Sequence, residues 1–333
     1  MLLLQHVRWR GRRLSTTRFT CRLQRPLLAP WYRLVADGER LLLEHGRSVV
    51  CFEGAAVRAL LPALLPLLDG AHTVAEIIAT AGEAVRPAVE RALELLETNG
   101  LLVEGPPATL PAANMLAAAI GVAPAGAERR LAEAVVGVVG AAGTAERVAR
   151  LLAASGIGRV ARIGWDGGAE VDFAVVAPEP AEAPLLGAWN ATALERGRCW
   201  LPVRPFDGLV CTVGPLVVPG ESACFECLLL RMAGHLEYGG DVRRVEAVPV
   251  AAPPVAPLEA LVAGVASQLV LGWTGGPDLT LPGLLYVLET KPSLALASHT
   301  VLRVPRCPVC SDVARTAPPL PWHPAVLPAE LPA

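Results

Sequence analysis

The residues with the plainest chemistry are two short cysteine pairs, Cys224-Phe-Glu-Cys227 and Cys307-Pro-Val-Cys310, with residues 228–306 between them. One C-x-x-C pair holds two thiolates on a tight turn, spaced for a single metal ion. Two such pairs complete the closed, tetrahedral, four-thiolate arrangement of structural zinc. A redox C-x-x-C more often stands alone after the first strand of a thioredoxin-like unit, whereas both pairs here fall late in the chain. Small buried hydrophobes are the plainer alternative. It does not account for four of the eight cysteines falling into two matched pairs. The expected ligands are therefore Cys224, Cys227, Cys307 and Cys310. His235 and His299 lack a second group at a working spacing and are expected to be surface or core residues.

The rest of the chain has to position those pairs. Of its 333 residues 53% are hydrophobic and 18% charged, which suffices for real cores and argues against disorder. A net charge of −2 gives no global signal for nucleic acid. Cys21, Cys51, Cys199 and Cys211 show no paired spacing, so a disulfide framework is not expected, and a reducing cytoplasm suits thiolate-bound zinc. Residues 1–29 carry many arginines and no acid, and read as a disordered basic extension. Ala108–Ala127 lacks charge but is broken by Pro111 and Pro124. It reads as a linker opening a second domain, and no membrane span is expected. The tail 317–333, with Trp322, is Pro-rich and expected to be extended or disordered.

Between these ends, residues 30–106 read as one small module. Tyr32–Val35, Arg40–Glu44 and Ser48–Phe52 are strands joined at Asp37-Gly38 and His45-Gly46. Helices follow at Ala55–Leu61 and at Val74–Ala81, where Thr73 and Glu76 form a capping box. In a third helix Val85, Val89, Ala92, Leu93 and Leu96 make one apolar stripe, stopped by Asn99-Gly100, with Leu101–Val103 as a wing strand. A winged helix suggests DNA, but this third helix carries more acids than bases, and phosphate neutralisation needs a basic face.

Residues 107–316 read as an α/β domain. Its entry is a strand at Glu133–Val139, Gly140-Ala-Ala-Gly143, a helix Thr144–Ser155 and a strand Val160–Ile163. Gly137, Gly140 and Gly143 are spaced by three rather than as G-x-G-x-x-G. Asp166 sits beside two glycines and reads as a turn residue, and the next strand, Asp172–Ala177, follows within a few residues. The only lysine, Lys291, lies in a late strand region. No constellation offers the cations and Mg²⁺ ligands that phosphoryl or adenylyl transfer needs.

Two resemblances join these modules. The run Leu64–Ile77, with its LLDG-x-x-TVxEI core, resembles the PqqD-like peptide-recognition element of ribosomal peptide biosynthesis. The stretch VVGAAGTAERVARLLAASGIGRV and the two zinc pairs, spanning roughly residues 131–315, resemble ThiF-like, ubiquitin-activating enzymes. The segment that carries the ATP-binding Asn and Arg in active members is absent after Asp166. A PqqD-like winged-helix module fused to a degenerate ThiF-like, Rossmann-type domain is similar to the leader-binding component of azoline-forming cyclodehydratases, which act on thiazole/oxazole-modified and thiopeptide precursors. The resemblance implies structural zinc, no ATP, a precursor leader and a separate YcaO-type cyclodehydratase as partners, and no catalysis of its own; a homodimer stays open. It also implies that the leader adds as a strand beside Ser48, Val49, Val50, Cys51 and Phe52, which should present an unpaired edge. Hydrogen bonds would go to Val49, Val50 and Cys51, with Arg86, Val89, Glu90 and Leu93 flanking the groove. The rivals are a peptide-adenylating ThiF relative and a zinc-containing DNA-binding regulator.

Overall fold

The computed structural model describes residues 3–8, 22–37, 40–141, 143–237, 239–276 and 278–311. Cys21, Gly38, the tail with Trp322 and the rest of the basic extension lie outside them. The chain divides into two compact units. One comprises Met1–Ala134, Ala154–Gly158 and Leu271–Asp278, the other Val135–Ala153, Arg159–Val270 and Leu279–Ala333.

The first unit begins with β1 (Leu3–Arg8), β2 (Pro26–Leu28), β3 (Arg33–Asp37), β4 (Arg40–His45) and β5 (Ser48–Glu53). Next come α1 (Ala55–Leu64), α2 (Val74–Ala81), α3 (Arg86–Thr98) and β6 (Leu102–Glu104). β3, β4 and β5 form the expected antiparallel meander. Gly46 has φ 60°, and no non-glycine residue has positive φ, so Gly46-Arg47 is a two-residue turn with glycine at its first central position. The pair His45–Ser48 that closes it exchanges both hydrogen bonds, and by alternation so do Leu43–Val50 and Leu41–Phe52. The main-chain groups of Val49, Cys51 and Glu53 therefore point to the outer edge of β5. On one sheet face Leu41, Leu43, Val50 and Phe52 meet Leu61, Ile77, Val89, Leu93 and Leu96 in a single buried core. The Thr73–Glu76 capping box opens α2 as expected.

Several expectations are corrected in this unit. The basic extension is not wholly disordered, because β1 and β2 lie within it. β1 pairs in parallel with β5 over all six positions, so the edge expected to be open is taken: an unpaired strand edge is a template for any β-prone segment in reach. The expected wing, β6, pairs with β2, outside the meander sheet. Ala108–Ala127 is no linker but enters α4 (Pro111–Ile120) and α5 (Pro124–Glu133), each with its proline in the first turn, where the missing N–H costs nothing. The expected boundary at 107 thus falls inside the first unit, where Arg130 Nε donates to Gly275 O at 2.8 Å.

The chain continues through β7 (Val135–Val139), α6 (Thr144–Ala154), β8 (Arg159–Arg162), β9 (Phe173–Val176), α7 (Leu186–Glu195), β10 (Cys199–Arg204) and β11 (Val210–Val213). α8 (Phe225–Ala233), α9 (Val242–Glu246), α10 (Ala256–Gly275), β12 (Leu284–Glu289) and β13 (Ala295–Thr300) complete it. The sheet order is β13-β12-β11-β10-β9-β7-β8. β8, β7, β9 and β10 are parallel, and β11, β12 and β13 are antiparallel additions. β7 and β9 are apolar on both faces, as buried parallel strands require. No helix is assigned between β8 and β9. The connecting loop lies on β7, where a Cβ at Gly137 would sit 2.6 Å from Ile163 Cδ1 and 3.2 Å from Val171. α10 is long and apolar enough to cross a bilayer by length and composition. Glu259 interrupts its apolar run. In the fold Val262, Ala263, Ala266 and Val270 are buried, and Glu259 pairs with Arg147.

Candidate functional site

Cys224 caps the N-terminus of α8 and Cys227 lies in its first turn, while Cys307 and Cys310 form a second turn after β13. The fold brings the four sulfurs together. Sγ separations are 3.8 Å for Cys224–Cys227, 3.7 Å for Cys224–Cys307 and 3.5 Å for Cys227–Cys310, and all four lie within 4.8 Å of one another. A tetrahedron with Zn–S bonds of about 2.3 Å has edges of about 3.8 Å. The sulfurs are too far apart for a disulfide, whose bond is about 2.05 Å. Cys224, Cys227 and Cys307 are buried in a core with Trp189, Trp200 and Phe225. The Cys227 thiol is held down to about 4 by the hydrogen bond from Cys224 Sγ, with the Val304 N–H also contributing. Burial pushes Cys310 up to about 11, and Cys224 rises because its proton is held in the bond to Cys227. Four crowded sulfurs cannot all ionise without a cation, and a divalent metal supplies that charge. All-sulfur ligation leaves no open position for substrate, so the arrangement suits structure rather than catalysis.

Arginines that the sequence did not single out fasten this knuckle. Arg231 Nε donates to Leu302 O at 2.6 Å, and Arg303 donates to the carbonyls of Gly220 and Cys310. Asn190, buried, accepts the Phe225 N–H at 3.1 Å, and Ser311 Oγ reaches Pro305 O at 2.6 Å. His235 and His299 are exposed and stand apart from the cluster.

The glycine turn after β7 is closed from above. A Cβ at Gly143 (φ 57°) would lie 2.6 Å from Glu259 Oε1 and 3.3 Å from Glu179 Oε1. Glu259 in turn pairs with Arg147 at 3.4 Å. Two carboxylates therefore sit where the positive end of α6 would otherwise receive a phosphate. Arg162 donates to the carbonyls of Gly140 and Ala141. The cleft lined by Thr144, Glu179, Arg204 and Glu259 encloses about 20 Å³, against the roughly 300–1,000 Å³ of ligand pockets. Asp166 lies in the turn closed by Gly167 N–H to Gly164 O, and Lys291 is exposed in the β12–β13 connection. Sequence reasoning missed Glu179 and Glu259 because each is remote in sequence from the turn it covers.

At the meander sheet, Ser48 and Val49 are half-buried, while Val50, Cys51 and Phe52 are buried. The hydrogen-bonding expectation for Val50 is corrected, since its main chain faces β4, and Val49, Cys51 and Glu53 face outward. Val89 and Leu93 are 0% exposed and belong to the core, so they are not groove walls. Helix periodicity marks a buried face without saying whether a partner or the module itself buries it. Arg86 already pairs with Glu83 at 2.6 Å and with Glu90 at 3.7 Å on the exposed side of α3.

No family model and no curated protein matches the chain. Among solved structures it is similar to a heterocyclase in complex with substrate and cofactor, with TM-score 0.68 and 24% identity over 90% of this chain and 42% of the heterocyclase. The heterocyclase TruD gives TM-score 0.68 and 22% identity over 90% of this chain and 45% of TruD. MccB of E. coli, bound to AMPCPP and MccA, gives TM-score 0.60 and 16% identity over 86% of this chain and 99% of MccB. The chain thus spans less than half of the two heterocyclases and nearly all of MccB. These likenesses establish that it shares one fold with the heterocyclases and with MccB.

Proposed function

We propose that this chain is the recruiting component of an azoline-forming system. It binds the leader of a ribosomal precursor peptide through a PqqD-like winged-helix module at about residues 30–106. It presents the core to a separate YcaO-type cyclodehydratase, which activates the amide with ATP. The ThiF-like, zinc-stapled domain acts as scaffold, and the setting is cytoplasmic. Holding the leader raises the concentration of the core at the partner's active site without chemistry by the holder.

The observation that carries the non-catalytic reading is the pair of carboxylates, Glu179 and Glu259, over a glycine turn with about 20 Å³ of free space. A triphosphate there would meet two carboxylates, and the arginines nearby, Arg147 and Arg204, are already paired with Glu259 and Glu246. MccB, seen with ATP, has the same fold, which gives the adenylating alternative its standing. In that alternative this chain alone would exchange pyrophosphate with ATP.

Reconstitution tests the proposal. A precursor peptide, ATP and the YcaO-type protein are incubated with and without this chain, and water loss per azoline is followed by mass spectrometry. Azoline formation that depends on both proteins supports the reading. Azoline formation that is indifferent to this chain sinks it.

A further inference from the structure

The sheet β1-β5-β4-β3 has two sides, and they are not equivalent. Its β3 side is free of further strands among the described residues and carries Leu34 and Val35, 46% and 43% exposed. Its other side ends in β1, a segment from the start of the chain, laid in parallel along β5 from Leu3–Ser48 to Arg8–Glu53. The overlap covers the whole of β5, so every outward main-chain group of Val49, Cys51 and Glu53 has a neighbouring strand. In this register the amides of Gln5 and Val7 are the ones that face β5.

We infer that Leu3–Arg8 is a built-in occupant of the peptide-recognition edge, and that an incoming leader gains β5 by displacing it. The inference rests on the proposed leader reading. β-augmentation is available only at a strand edge with free donors and acceptors, and β5 has such an edge only when β1 leaves. Exchange of one strand for another replaces backbone hydrogen bonds by equivalent ones, so the exchange itself is nearly balanced. The covalent link supplies the bias, because a segment of the same chain competes at an effective concentration of about millimolar. β1 is the end strand of its sheet and pairs with β5 alone, so it can leave without breaking any other ladder. A segment docked about nine-tenths of the time weakens the apparent affinity of its competitor about tenfold. The basic extension thereby becomes a threshold that admits peptides able to out-compete it.

The test uses the full chain and a Gln5→Pro/Val7→Pro variant, which removes the two amides of β1 that face β5 and leaves β5, β4 and β3 untouched. Amide hydrogen exchange is read over residues 48–53. Binding is read by fluorescence polarisation with two labelled probes, a peptide of residues 1–9 of this chain and the leader segment of an azoline precursor peptide. The expected results are faster exchange at Val49 and Cys51 in the variant, binding of both probes at least tenfold tighter than to wild type, and competition between the two probes. Equal leader affinity for both proteins overturns this inference alone and moves the leader to another surface, such as the β3 side. If the leader binds neither protein, the proposed function falls and takes this inference with it. Unchanged exchange at Val49 and Cys51 removes the docked strand itself.

Discussion

Replacing Cys307 by serine should remove the metal and with it much of the stability of the second unit. Its sulfur lies 3.7 Å from Cys224 Sγ, and the residue is 0% exposed in the core that holds Trp189, Trp200 and Phe225. A structural zinc site contributes about 10–16 kcal/mol of apparent binding free energy. Shared evenly among four thiolates, one ligand is worth about 2.5–4 kcal/mol. A buried serine hydroxyl without a partner adds a cost of about 1–3 kcal/mol. The total, about 4–7 kcal/mol, is of the order of the whole stability of a domain. For a unit of this size each kcal/mol moves Tm by about 2–4 °C, so a drop of about 10–25 °C is expected. Metal content and thermal melting give the assay. Tryptophan emission reports the unit, because Trp165, Trp189 and Trp200 pack in sequence at 6.3 and 6.4 Å between ring centroids. Wild type should carry one zinc per chain. Cys307→Ser should lose it and shift its emission to the red, and Cys199→Ser, outside the cluster, should do neither. Zinc well below one per chain, unchanged by Cys224→Ser or Cys307→Ser, with unaltered melting, would refute the ligand set.

Three further outcomes are expected. ATP–pyrophosphate exchange by this chain, with precursor present, should stay at background, and a clear ATP-dependent signal would transfer the assignment to the adenylating enzyme. Thr73→Ala should destabilise the first unit by about 1 kcal/mol through loss of the α2 cap, whereas no change in its melting would show that the cap is idle. The Ala71 N–H and the His72 ring hold the Asp69 carboxyl down to about 2. Its folded value lies below its unfolded value, so the stability it contributes is full above about pH 4 and is lost as pH falls through about 2. The stability gap between wild type and Asp69→Asn should therefore be open at neutral pH and close in that window; a gap that stays constant would contradict the assignment.

Local signals were the legible part of this fold. Cysteine spacing marked all four sulfurs of the cluster because each C-x-x-C turn is built by its own neighbours, and the fold only had to bring two turns together. The Thr73–Glu76 box and the 3.6-residue stripe of α3 were equally local. What escaped depended on distant pairing. The β1–β5 and β2–β6 ladders join segments far apart in sequence, and nothing in a leucine-rich start says which strand it will join. The carboxylates over Gly143 come from two different later segments, and only the closed sheet places them there. The alternation of hydrogen bonds along β5 needed the turn at Gly46, whose φ of 60° fixes the closing pair. Val89 and Leu93 lay on the face the periodicity picked out, but the partner of that face is the module's own sheet.

Leader binding is the most direct test of the central claim. A fluorescein-labelled leader is titrated into the full chain, into Val49→Pro and into Thr212→Val. Val49→Pro removes an outward donor from β5 while leaving the core face of Val50 and Phe52 intact, and Thr212→Val is a control in the second unit. The account predicts saturable binding to the full chain, the same binding to Thr212→Val, and weaker binding to Val49→Pro with zinc content unchanged. A full chain that binds no leader, or a Val49→Pro variant that binds it as tightly as wild type, would contradict it.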